Sequence, residues 1–189
     1  KRSWFQYFEY EDIKGKELMK ATLVDPAISI AKEADYTAIV TVGIDQFGNV
    51  FILDIVRDHL TPNQIIERLF DQMELWHPSV IGLETTAYQK ALAYSIRDAM
   101  AERKRNLPIK ELKSSDRSKD QRIKGLQPLY ENRKVWHRRG HRYTAYLEDE
   151  LANFPRAKHD DIIDALSFSL DVMYAPKKKQ TRYQHHYLY

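Results

Sequence analysis

Three groups of acidic residues occupy positions suited to catalysis. Asp25 directly follows the apolar run 21–24, and Glu84 directly follows the apolar run 80–83. Asp160, Asp161 and Asp164 open the apolar segment that runs to residue 174. An acid just after an apolar strand sits at the rim of a sheet, where rigid backbone aims its side chain. The third group falls in or before the first turn of a helix, where the positive end of the helix dipole favours anions. Each acid also has an ordinary reading: Asp25 as a turn residue before Pro26, Glu84 as a surface acid, Asp160 or Asp161 as a helix cap. Gathered together, such hard oxygen donors suit Mg²⁺ or Mn²⁺. Beside a basic surface, the matching chemistry is two-metal phosphodiester hydrolysis. Crowded carboxylates repel one another and divalent cations remove that cost, so metal is expected to stabilise the protein.

A basic surface is present in the sequence. The net charge of +3 conceals an asymmetry: residues 101–145 carry 14 Lys and Arg against 5 Asp and Glu, while residues 1–100 carry 10 against 15. A basic block beside acidic ones points to a polyanionic partner. Lys119, Arg122 and Lys124, with Arg138, Arg139 and Arg142, are its candidate DNA contacts; a merely solvated face is the alternative. Other chemistries find little support. There is no cysteine for a nucleophile, a disulfide or a thiolate metal site, and no H-E-x-x-H string. Gly43 and Gly48 have the glycine spacing of a P-loop, but Asn49 and Val50 stand where Lys and Ser or Thr belong. His137 and His141 are four apart with Gly140 between them and no evident third ligand, so they read as phosphate contacts or plain surface.

The elements that must position these residues follow from periodicity. Runs 21–24, 37–44 and 50–56 read as strands joined by tight connections, hence an antiparallel meander. Thr61 and Pro62 open a helix whose Ile65, Ile66, Leu69, Phe70, Met73 and Trp76 recur at helical spacing. Strand 80–83 follows, then a helix capped by Thr86, a strand over 109–112, and a basic helix capped by Ser118 and running to Tyr130. A brief extended piece at 135–136 and helices over 144–153 and 160–174 complete the order. Strands that each follow a helical crossover extend the meander, which predicts an α/β mixed sheet flanked by helices. Residues 1–19 read as a linker, 20–174 as the folded domain, and 175–189 as a flexible tail. The length of 189 residues suits one domain, and no stretch has the apolar length of a membrane span. The chain opens at Lys1 rather than Met, as a piece of a longer protein would.

The strings LVDPA, DYTAIVTVGID, VIGLE, KDQRIKGLQPLYENRKVW and FPRAKHDDIIDALSFSL together resemble the nuclease domain of the large terminase subunit of tailed bacteriophages. HDDIIDAL is the most specific of them. The resemblance implies an RNase H-like fold and cleavage of concatemeric double-stranded viral DNA during genome packaging, with two Mg²⁺ or Mn²⁺ ions. It assigns the first metal-bridging acid to Asp25 and the second to Glu84, where many relatives carry Asp. It assigns the third to Asp161, three residues before the Asp164-Ala165 pair, with Asp160 as competitor and Asp164 as a supporting or weak ligand. Asp35 is a further candidate near the metals. The family's full-length protein has a packaging ATPase that nothing here matches, so the resemblance implies a monomeric nuclease domain. Its wider partners would be that ATPase, the portal and the small terminase subunit, at the procapsid in the host cytoplasm. A junction resolvase or integrase on the same fold, and a non-catalytic DNA-binding module of the motor, are the competing expectations.

Overall fold

The computed structural model describes residues 1–27, 36–84, 87–112 and 118–173, with the side chains of 87–90 excepted. Asp35, Thr86 and the tail from residue 175 lie outside the described residues. A 3-10 turn, Arg2–Trp4, leads into β1 (Gln6–Phe8) and α1 (Tyr10–Ile13). The meander is β2 (Met19–Asp25), β3 (Thr37–Ile44) and β4 (Val50–Asp58). Then come α2 (Pro62–Trp76), β5 (Val80–Glu84), α3 (Ala87–Arg103), β6 (Ile109–Leu112), α4 (Lys119–Lys124) and α5 (Gln127–Glu131). The chain ends with β7 (Val135–Arg138), α6 (Thr144–Asn153), α7 (Asp161–Ser167) and α8 (Ser169–Met173).

Seven strands form one sheet in the order β1-β7-β4-β3-β2-β5-β6. The meander pairs antiparallel; β5 joins β2, β6 joins β5, β7 joins β4 and β1 joins β7, all in parallel. This is the mixed sheet expected, with helices on both faces. Side chains alternate between the faces. Val24, Ile39, Ile81 and Leu83 pack with Ile65, Leu69 and Ile96 of α2 and α3, while Leu23, Ala38 and Val40 pack with Ile162, Ile163 and Ala165 of α7. Asp25 shares the face of Leu23, and Glu84 the face opposite to Leu83, so both acids lie on the side that α7 covers.

Local chemistry sets several boundaries. Thr61 caps α2 and Ser118 caps α4, each through a reciprocal capping box, with Gln64 and Gln121 respectively. The basic helix divides at Gly125, and the last helix divides at Phe168. The linker expectation for residues 1–19 is corrected: β1 pairs with β7, and Phe5, Phe8 and Ile13 are buried. A three-residue strand carries too little periodicity to stand out in sequence. The piece at 135–136 is correspondingly larger, a strand held between β4 and β1.

Candidate active site

Asp25 and Glu84 end two parallel neighbours. The register pairs Val24 with Leu83, which makes the two acids the next step on adjacent strands, about 4.8 Å apart in backbone spacing. Gly82, two residues before Glu84, permits the crowding on this face: a Cβ there would lie 2.5 Å from Leu112 Cδ1. α7 brings Asp161 and Asp164 down onto the same face, both buried. α4 packs against α7 and supplies two cations. Arg122 Nη2 donates to Asp164 Oδ1 at 2.7 Å, and its Nη1 lies 3.5 Å from Glu84 Oε1. Lys119 Nζ donates to Asp160 Oδ1 at 2.8 Å and lies 3.2 Å from Asp164 Oδ2.

The electrostatics register this crowding. Burial, then the charge of Asp164, pushes the Asp25 carboxyl up to about 8; Glu84 and Asp161 add to the rise and Lys119 opposes it. Burial works against the Lys119 ammonium, but its bond to Asp160 and the charges of Asp164, Asp160 and Asp25 outweigh that and hold its pKa above the ordinary value. Asp25, Glu84, Asp164, Asp161 and Lys119 therefore act as one charge cluster. Asp161 Oδ2 also lies 3.7 Å from Arg57 Nη2 and 3.9 Å from His159 Nδ1.

The structure thus brings together most of the acids singled out by sequence, with Asp161 and Asp164 both buried on α7. Asp164 is the acid that weighs most on Asp25, whereas Asp160 is partly exposed and tied to Lys119. The basic residues divide. Arg122, expected as an exposed phosphate contact, is corrected: it is buried at 5% exposure, because its guanidinium balances Glu84 and Asp164 and covers the Phe168 ring at 4.5 Å. Lys124 is exposed and paired with Asp120 on its own helix. Arg138 donates to the Leu53 carbonyl at 3.1 Å, Arg139 lies exposed beside Glu9, and Arg142 donates to the Tyr143 hydroxyl at 2.6 Å. These three lie three strands from Asp25 and do not join the acid cluster; His137 pairs with Ile52, five residues before Arg57 on β4. His137 is corrected too. It is fully buried between the Tyr130 hydroxyl at 2.9 Å and Glu148 Oε1 at 3.0 Å, a core residue rather than a surface one. His141 is largely buried, with Nε2 2.8 Å from Asp54 Oδ1. Sequence reasoning missed Arg57 and Glu150, which border the acids. Their placement comes from strand register and helix packing, and no local signal marks either.

The donor set fits a divalent cation in type: carboxylate oxygens from two strand ends and one helix, crowded enough to raise the pKa of Asp25. Among the described residues, no group of three or more His, Asp and Glu side chains has the geometry to hold an ion, and Lys119 and Arg122 contact the acids.

A mixed sheet of this order, with acids at its strand ends facing a helix, defines an RNase H-like domain. The profile of the "Terminase RNaseH-like domain" family matches residues 22–171, and the chain belongs to that family. Among solved structures it is similar to the large terminase nuclease of the thermophilic phage G20c with bound zinc, at 23% identity and TM-score 0.60, covering 81% of each chain. It is also similar to the large terminase of bacteriophage HK97, at 10% identity and TM-score 0.58, covering 91% of this chain and 43% of that one. The Holliday junction resolvase of fowlpox virus aligns at 17% identity and TM-score 0.49, over 82% of this chain and 97% of that one. No curated protein sequence matches significantly.

Proposed function

We propose that this domain is a metal-dependent endonuclease that cuts double-stranded viral DNA during genome packaging. The observation that carries the reading is the convergence of Asp25, Glu84 and Asp164 on one sheet face, together with the raised pKa of Asp25. Asp25 and Glu84, from rigid strand ends, and Asp164 and Asp161, from α7, would hold Mg²⁺ or Mn²⁺. Such ions, when bound, activate a water and stabilise the leaving oxygen of a phosphodiester. Arg122 keeps Glu84 and Asp164 aimed by balancing their charge from within the core. Lys119, at the solvent side of the same cluster, presents an ammonium to a phosphate entering the site. Arg139 and Arg142, on the exposed side of the turn after β7, would hold the duplex backbone, and contacts of this kind carry no base information.

In the packaging motor the domain would work in the host cytoplasm with an ATPase domain, the portal and the small terminase subunit. The test is cleavage of supercoiled plasmid, linear duplex and a four-way junction in Mg²⁺, Mn²⁺ and EDTA. Metal-dependent cutting of plasmid and duplex is the expected result. Preference for the junction would favour a resolvase, and cleavage in EDTA would overturn the metal mechanism.

A further inference from the structure

Arg57 is a buried arginine outside the acid cluster, and its surroundings tie it to α7. The register carries Asp25 to Ala38 and Ala38 to Arg57, so all three share one row and one face of the sheet. The residue between Asp25 and Arg57 is only a methyl. The guanidinium lies 3.6 Å over the Tyr36 ring, with Nε 3.7 Å from Glu150 Oε1 and Nη2 3.7 Å from Asp161 Oδ2. Glu150, buried on α6, turns its other oxygen to the start of α7. Its Oε2 accepts from the amides of Ile162 and Ile163, at 3.0 Å each. Asp160, at the N-cap position, makes no side-chain cap bond of its own. The helix that carries the acids is therefore capped from α6, and the capping carboxylate is braced by an arginine from β4.

Resting on the nuclease reading, we infer that Arg57, braced by Glu150 and Tyr36, is a positioning residue that fixes where α7 starts and so where Asp161 and Asp164 stand relative to Asp25. The chain of contacts is continuous: β4 carries Arg57, Arg57 stands at ion-pair distance, 3.7 Å, from both Glu150 and Asp161, and Glu150 accepts from the first amides of α7. A planar guanidinium can stack on Tyr36 and meet two carboxylates at once, which an ammonium cannot do. Groups that orient metal ligands from behind typically control metal affinity as strongly as activity.

The test is Mn²⁺ binding measured by calorimetry on wild type, Arg57→Ala, Arg57→Lys and Glu150→Gln, alongside plasmid cleavage across Mn²⁺ concentration. The dissociation constant should rise about tenfold or more in Arg57→Ala, with Arg57→Lys recovering only part of it. The half-saturating Mn²⁺ concentration should rise by more than the rate at saturating metal falls. Glu150→Gln keeps size and an acceptor for the α7 amides while losing the charge that holds Arg57, and it should weaken Mn²⁺ in the same direction, so the test survives an Arg57→Ala that fails to fold. Mn²⁺ affinity within about twofold of wild type in the folded variants, or a loss of rate at saturating metal alone, overturns the inference. Wild type that binds Mn²⁺ but cuts no DNA overturns the nuclease reading instead and leaves the calorimetry to decide this one.

Discussion

At the scale of single residues, the buried charges give the sharpest expectations. Asp25→Asn and Glu84→Gln should each lower plasmid cleavage at least about a hundredfold while circular dichroism stays unchanged, since both would remove a strand-end metal donor. Among the acids at the start of α7, the buried Asp161→Asn and Asp164→Asn should each cost more than the partly exposed Asp160→Asn. Cleavage rates at saturating Mn²⁺ measure this, and an Asp160→Asn enzyme that is the slowest of the three would show that the exposed acid is the ligand. Arg122→Ala should destabilise the protein by about 3–5 kcal/mol in urea unfolding, because it removes the buried cation that Asp164 and Glu84 share. Lys119→Ala should cost far less stability, since its head is partly exposed.

At the scale of elements, β1 and α7 matter most, for different reasons. β1 extends the sheet by one edge strand, and Phe8 on it packs edge-on to Phe51 with centroids 5.4 Å apart. Phe8→Ala should therefore cost about 3–5 kcal/mol, a core-sized loss from a segment whose sequence resembles a linker. An unfolding midpoint unchanged by that substitution would show that β1 detaches without consequence. α7 behaves differently because it lacks a local side-chain cap and depends on Glu150 across the fold. Its geometry responds to α6 and β4 rather than to its own first residues.

At the scale of the whole molecule, charge sets the response to pH and salt. Burial and Asp164 raise Asp25 to about 8, and burial, against the amide bonds from Ile162 and Ile163, raises Glu150 to about 7. The unfolded chain releases those protons near pH 4. Between about pH 4 and pH 8 the folded apo protein holds more protons than the unfolded one, so its stability falls as pH rises through that window. Asp54 and Glu148, held below the ordinary carboxylate range in the fold, add stability that is lost as pH drops below about 4. The melting temperature in EDTA should thus peak near pH 4 and decline toward pH 8, and saturating Mg²⁺ should flatten the decline. A melting temperature in EDTA that climbs from pH 5 to pH 8 would contradict the picture of crowded, uncompensated acids. Duplex affinity should fall steeply with salt, and Arg139→Ala combined with Arg142→Ala should lower the log-log salt slope by about 1 per true contact. No change in slope would place the DNA on another face.

Features that local chemistry can specify were legible in the residues alone. The β-branched run 37–44 and the short segment 109–112 became strands with those limits, Thr61 and Ser118 became caps through Gln64 and Gln121, and the acids of β2 and β5 fell at strand ends as their apolar runs foretold. Hydrophobic periodicity and capping act within one turn or one strand, so they are legible without partners. The three-dimensional packing settled everything that depends on which strands are neighbours. It turned Arg122 and His137 inward, made β1 part of the sheet, buried both Asp161 and Asp164 on the face of Asp25, and brought Arg57 from β4 and Glu150 from α6 to the head of α7. A charged residue looks the same in sequence whether it faces water or a buried counter-charge. Only strand register and helix packing, fixed by contacts far apart in the chain, decide between the two.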